Sequence, residues 1–181
     1  MHPMFEKILI TEEQIVKRSK ELGAILDQKY ANDEEKPLFV ALLKGSVPFL
    51  AELIKHIEMN IEIDFMDVSS YEGKGTESTR DIKILKDLDR SIIDRDIVLV
   101  EDIVDTGRTI QSVKKLLMNK GAKSVTVVSL LDKPSRREID INPEFVGFEI
   151  PNEFVVGFGL DFDQKLRNVP YIGVLKEEYY L

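Results

Sequence analysis

Cysteine is absent from the 181 residues, which excludes a disulfide scaffold, a zinc–thiolate site and a cysteine nucleophile together, and fits a cytoplasmic address. Histidine is almost absent: His2 lies at a chain end and His56 on a predicted helix face, so neither is a catalytic candidate. Long apolar runs are missing too. The longest, Leu38 to Leu43, covers six residues, against the ~18 that a membrane-spanning helix needs. The opening residues also lack the basic-then-apolar pattern of a secretory signal. Basic charge is in deficit, with 25 Lys and Arg against 33 Asp and Glu and a formal net charge of -8. No nucleic-acid or membrane partner is expected, because phosphate backbones are held mainly by clustered Lys and Arg. A single phosphate can still be taken by backbone amides, or through a divalent cation held by carboxylates.

What is present describes one globular unit. Apolar residues make up 43% of the chain, and a chain of this length buries roughly two thirds of its unfolded surface, enough for one core. Thr11-Glu12-Glu13-Gln14 offers a capping box, and Ile15, Leu22, Ile25 and Leu26 recur at near-helical spacing, so a helix is predicted from there to near Tyr30. Leu38 to Leu43 reads as a strand buried on both faces. Lys44-Gly45-Ser46 interrupts it, and a helical stripe from Val47 to Ile57 follows, with Pro48 in the tolerated first turn. Ile61 to Val68 and Ile82 to Leu88 read as strands, and the polar Ser69 to Asp81 between them as a long mobile loop. Ile97 to Val100 is again fully apolar, Ile110 to Leu117 carries a helical stripe ended by Gly121, and Ser124 to Leu131 is a further buried strand. Buried strands alternating with helices predict an α/β fold with a mostly parallel central sheet flanked by helices. The core is expected over about residues 8–135. A small hood lobe is expected from about 136–181, including the strand-like pieces Phe145 to Phe148 and Phe154 to Gly157, with a possible N-terminal contribution.

The densest chemistry lies between Val98 and Ile110. A hydrophobic strand delivers Glu101 and Asp102 to its carboxyl end, and Asp105-Thr106-Gly107-Arg108-Thr109 then opens a helix. In parallel sheets ligands sit at the carboxyl ends of strands. The loop suits a phosphate: amides and the Thr106 and Thr109 hydroxyls can donate together, Gly107 permits close backbone approach, and the helix start favours an anion. Adjacent carboxylates repel unless they meet hydroxyls or a divalent cation, which points to a sugar diol with magnesium nearby. Any one of these residues alone would read as a strand-end charge or a helix cap; together, within nine residues, they read as a site. No Gly-x4-Gly-Lys-Ser/Thr sequence occurs, so nucleoside triphosphate hydrolysis is not expected.

Val98 to Thr109 resembles the phosphoribosyl pyrophosphate motif of the type I phosphoribosyltransferases. Leu43-Lys44-Gly45-Ser46 is similar to that family's pyrophosphate loop, although Ser46 stands where many relatives have a second glycine, and Ser69-Ser70-Tyr71 is similar to the start of its flexible catalytic loop. Asp132-Lys133-Pro134 and Phe145 through Asp161 resemble the hypoxanthine-guanine branch of purine salvage. The resemblance implies transfer of the 5-phosphoribosyl group to hypoxanthine, and to guanine, giving IMP or GMP and pyrophosphate. It implies that Glu101 and Asp102 bind the ribose hydroxyls, that Asp105 to Thr109 cradle the 5'-phosphate, and that Asp105 exchanges a proton with purine N7. It implies further that Lys133 donates to O6, that Phe154 stacks on the base, and that the Val155 backbone meets the base edge. Asp161, with Glu101 and Asp102, would hold magnesium; Lys44, Gly45 and Arg167 would contact pyrophosphate; Ser70 and Tyr71 would close over the reacting groups. A homodimer or homotetramer is implied too. The segment from Arg136 to Asn142 matches nothing informative. A sensor of the sugar pyrophosphate that controls RNA would need a basic face, which the net charge of -8 does not supply.

Overall fold

Every residue of strand β2 (Leu38–Leu42) is buried, as are Ile97 to Glu101 of β5 (Asp96–Val104) and Val125 to Asp132 of β6 (Ser124–Asp132). Because side chains alternate across a strand, these runs feed two cores. Phe39, Ala41, Val98, Val100, Val128 and Leu130 enter one, whereas Leu38, Val40, Leu42, Leu99 and Val127 enter the other. The computed structural model describes residues 1–70 and 82–181. It covers the first face with helices α1 (Glu12–Lys29) and α2 (Val47–Ile54), and the second with α3 (Arg108–Asn119). The expected capping box starts α1: Thr11 Oγ1 accepts from the Gln14 amide at 3.3 Å, and Gln14 Oε1 accepts from the Thr11 amide at 2.8 Å. The predicted Ile25 is instead 37% exposed, while Ile15, Leu22 and Leu26 enter the core.

The central sheet has six strands, in the order β4-β3-β2-β5-β6-β7, with β3 (Glu62–Ser70), β4 (Ile82–Lys86) and β7 (Phe145–Glu149). All neighbours pair in parallel except β3 with β4. The α/β class with a mostly parallel sheet is therefore the fold of this chain. A second, antiparallel sheet is built in the order β1-β9-β8 from β1 (Phe5–Ile10), β9 (Ile172–Leu175) and β8 (Val155–Val156).

Three sequence expectations are corrected. Ser69 and Ser70 do not begin a loop; they end β3, opposite Lys83 and Ile82 of β4, because an antiparallel partner extends the ladder. Tyr71 and the rest of the predicted loop to Asp81 lie outside the described residues. Phe145 to Phe148 was expected in the hood, yet it is the sixth strand of the central sheet, with Leu131 opposite Phe148. Gly147 permits that pairing, since a Cβ there would stand 2.4 Å from the Leu130 carbonyl oxygen. Finally, β5 extends past the apolar Ile97 to Val100 and past the acidic pair itself, with Glu101 opposite Ser129 and Val104 opposite Asp132. The loop that follows shrinks to Asp105, Thr106 and Gly107, and Arg108 and Thr109 become the first turn of α3.

Candidate active site

The carboxyl ends of β2, β5 and β6 converge on one edge of the sheet, where open α/β sheets bind ligands. Two hollows open there. One, of about 270 Å³, is lined by Glu101 to Gly107 with Thr109 and Ile110. The other, of about 470 Å³, is bounded by Lys133, Phe154, Val155 and Tyr180. Ile103 and Asp105 line both, so the hollows adjoin at these two residues.

In the first hollow Glu101 is only 6% exposed. Burial, and then the charge of Asp102, push its carboxyl well above the usual range, against the pull of the Asp102 amide. Asp102 is pushed up to about 6, first by burial, while amides of Ile103 and Asp102 and the charge of Arg167 pull it back. Gly45 presses on this carboxylate, for a Cβ on it would stand 1.7 Å from Asp102 Oδ2. Gly159 in turn presses on Gly45, with its own Cβ position 1.9 Å from the Gly45 carbonyl oxygen. Arg167 ties in this hairpin: Nη1 donates to Gly159 O at 2.7 Å and Nη2 pairs with Asp161 Oδ1 at 2.9 Å. Lys44, exposed beside Gly45, follows a cis Leu43–Lys44 peptide. Six of the expected site residues, Lys44, Gly45, Glu101, Asp102, Asp161 and Arg167, thus share one neighbourhood.

The loop beneath has Gly107 at φ 84° as the N-cap of α3. Its Cβ position would lie 2.7 Å from Ile141 and 3.0 Å from Arg137 Cδ, so only glycine fits. Thr106 Oγ1 accepts weakly from the Arg108 amide at 3.4 Å, and the exposed Arg108 side chain pairs with Glu138.

In the second hollow the buried Lys133 donates from Nζ to Glu153 O at 2.7 Å. Burial lowers its pKa, against the attraction of Asp105. Phe154, 40% exposed, stacks on Tyr180 with ring centres 4.8 Å apart, and Val155 is buried in β8. Sequence reasoning missed three residues here, Arg136, whose Nε lies 3.1 Å from Asp105 Oδ1, Glu153 and Tyr180, and also Arg137, which donates to the Asp105 carbonyl oxygen. A dibasic pair three residues beyond Lys133 was the available signal for the two arginines.

Buried, adjacent carboxylates with raised pKa values fit a divalent cation or sugar hydroxyls as their missing partners. Among the described residues no three acidic or histidine side chains gather tightly enough to hold a metal alone. That fits magnesium, which characteristically takes one or two carboxylates and completes its shell with water and substrate phosphate.

Acidity provides a check on the ligand-free pocket. Because Asp102 titrates at about 6 folded, against 3.8 free, its contribution to stability is complete below 3.8 and is lost as pH rises through about 6. In urea unfolding without ligand or metal, the wild type is expected to lose stability relative to Asp102→Asn between about pH 4 and pH 6, and to run parallel to it above that. Parallel pH profiles would mean that this carboxylate is not desolvated.

An α/β sheet with an acidic pair, a Thr-Gly loop opening a helix, and a second hollow that shares an aspartate with the first fits a phosphoribosyl-binding class of protein. The chain belongs to the phosphoribosyl transferase domain family, which matches residues 11–163. It is 55% identical over 175 residues to the hypoxanthine-guanine phosphoribosyltransferase of Lactococcus lactis subsp. lactis (strain IL1403), covering 97% of this chain and 93% of that protein. Identity to the hypoxanthine-guanine phosphoribosyltransferase of Bacillus subtilis (strain 168) is 53%, over 97% of this chain and 96% of that protein. The crystal structure of a hypoxanthine phosphoribosyltransferase from Staphylococcus aureus superposes with a TM-score of 0.92 at 50% identity, covering 100% of this chain and 97% of that one.

Proposed function

We propose that this protein transfers the 5-phosphoribosyl group of phosphoribosyl pyrophosphate to hypoxanthine and guanine, releasing pyrophosphate and forming IMP or GMP in purine salvage. The observation that carries this reading is the meeting of the two hollows at Asp105. One offers an acidic pair and a phosphate loop, the other a buried cation and an aromatic face.

Glu101 and Asp102 take the ribose hydroxyls, and the Asp105 to Thr109 turn takes the 5'-phosphate. Lys44, Gly45 and Arg167 face the departing pyrophosphate. Glu101, Asp102 and Asp161 are the candidate carboxylates, of which one or two at a time would hold magnesium, which when bound neutralises charge on the leaving group. Phe154 stacks on the purine and the Val155 backbone meets its edge. Lys133 is a donor only, so it donates to the O6 of a 6-oxopurine and meets adenine's amino group donor to donor, which selects against adenine. Asp105 holds the N7 proton as the new glycosidic bond forms and returns it in reverse. Ser70 and Tyr71 belong to the same proposal as residues that exclude water over the reacting carbon. The absence of cysteine fits a cytoplasmic enzyme, and no helix among the described residues is long and apolar enough to cross a membrane. Assembly into a dimer or tetramer belongs to the same proposal.

The test is nucleotide formation with phosphoribosyl pyrophosphate, magnesium and each of hypoxanthine, guanine, xanthine and adenine. Turnover of 6-oxopurines but not adenine, with discrimination relaxed by Lys133→Ala, is the expected result. Binding of the sugar pyrophosphate without turnover of any base would remove the purine half of the assignment.

A further inference from the structure

We propose that Arg137 is a positioning residue for the phosphate loop, acting through the peptide that joins Asp105 to Thr106; the inference rests on the phosphoribosyl reading above. Its side chain is 11% exposed, and the guanidinium spans two elements. Nη2 pairs with Asp132 at the end of β6, and Nη1 donates to the Asp105 carbonyl oxygen at 2.5 Å. The next two carbonyls are held as well: Thr106 O accepts from the Glu138 amide at 3.1 Å, and Gly107 O accepts from the Gln111 amide at 3.0 Å.

In a planar trans peptide the carbonyl and the following N–H point in opposite directions. Pinning Asp105 O towards Arg137 therefore aims the Thr106 amide the other way, and pinning Thr106 O towards Glu138 does the same for Gly107. Among the described residues neither amide meets a protein acceptor. Two such amides, at the start of the 12-residue α3, form the concavity that takes an anion. If the Asp105–Thr106 peptide turned over, a carbonyl would face the phosphate and repel it, and the neighbouring Gly107 makes such a turn accessible. A guanidinium suits the brace because its planar fork can hold two acceptors at once; an ammonium on a flexible stem is a point charge and cannot reproduce that geometry.

The experiment compares binding of IMP and inosine by calorimetry in the wild type, Arg137→Gln, Arg137→Lys and the double variant Arg137→Gln with Asp132→Asn. The double variant leaves no unpaired buried carboxylate, so it retains the fold if the single variant does not. Loss of a charge-assisted hydrogen bond predicts that IMP weakens roughly tenfold to a hundredfold in the glutamine variants. Inosine, which lacks the phosphate, should bind as in the wild type, and lysine should restore only part of the loss. Equal weakening of both ligands, or unchanged IMP binding in the double variant, would reduce Arg137 to a structural residue and overturn the proposal. Wild-type protein that binds IMP no better than inosine would instead remove the phosphoribosyl reading, and this inference with it.

Discussion

Asp105→Asn is expected to slow nucleotide formation about a hundred- to ten-thousandfold, the range of a lost general acid–base group, while IMP affinity stays close to that of the wild type. The amide has the carboxylate's shape and keeps an oxygen for Arg136, whose Nε lies 3.1 Å from Oδ1. It cannot take a proton. Asp105 lines both hollows, so it is the titratable group placed to serve both halves of the proposed reaction. Forward synthesis and pyrophosphorolysis of IMP should fall by the same factor, since one proton is exchanged in both directions. Single-turnover rates separate this from product release. A loss below tenfold would mean that the proton leaves by another route. An equal loss in IMP affinity would mean that the carboxylate mainly holds the loop.

The part of this site that is local in sequence was legible in it. Glu101 to Thr109 is nine consecutive residues, and its chemistry follows from residue types that stay neighbours however the chain folds. The central strands were legible for a related reason: Leu38 to Leu42 is apolar at both parities, as a strand covered on both faces must be. What sequence reasoning lost depends on distant partners. Ser69 and Ser70 are strand because β4 lies alongside them, and Phe145 to Phe148 belongs to the central sheet because β6 offers a parallel edge. Nothing within either segment encodes that edge. Arg136 and Arg137 followed Lys133 in plain view, but their partner Asp105 stands 31 and 32 residues earlier. Their role exists only once β5 and β6 are paired. The closeness of Gly45, Gly159 and Asp102 is likewise a product of folding.

That last closeness leads to the second large effect. Gly159→Ala is expected to lower kcat/KM for phosphoribosyl pyrophosphate at least a hundredfold, about 2.7 kcal/mol of transition-state stabilisation. The residue has φ 101°, a conformation costing an L-residue roughly 1–2 kcal/mol. Its Cβ would stand 1.9 Å from the Gly45 carbonyl oxygen and 3.0 Å from Pro48 Cδ. The first obstacle is backbone and cannot swing aside as a flexible side-chain tip could. Gly45 is itself crowded, because Asp102 Oδ2 lies 1.7 Å from where its own Cβ would stand. The strain must therefore pass into the acidic pair, or open the hairpin that holds Asp161 and Arg167. Both hold groups assigned to the sugar pyrophosphate. Gly147→Ala is the matched control, since it crowds the Leu130 carbonyl oxygen from β7, away from the hollows. Each variant should lose stability by about 1–3 kcal/mol, the usual cost of overpacking. Only Gly159→Ala should lose kcat/KM in the folded fraction. If thermal unfolding and kinetics moved together in both, the glycine contact would be a packing constraint and not the joint that sets the two loops against each other.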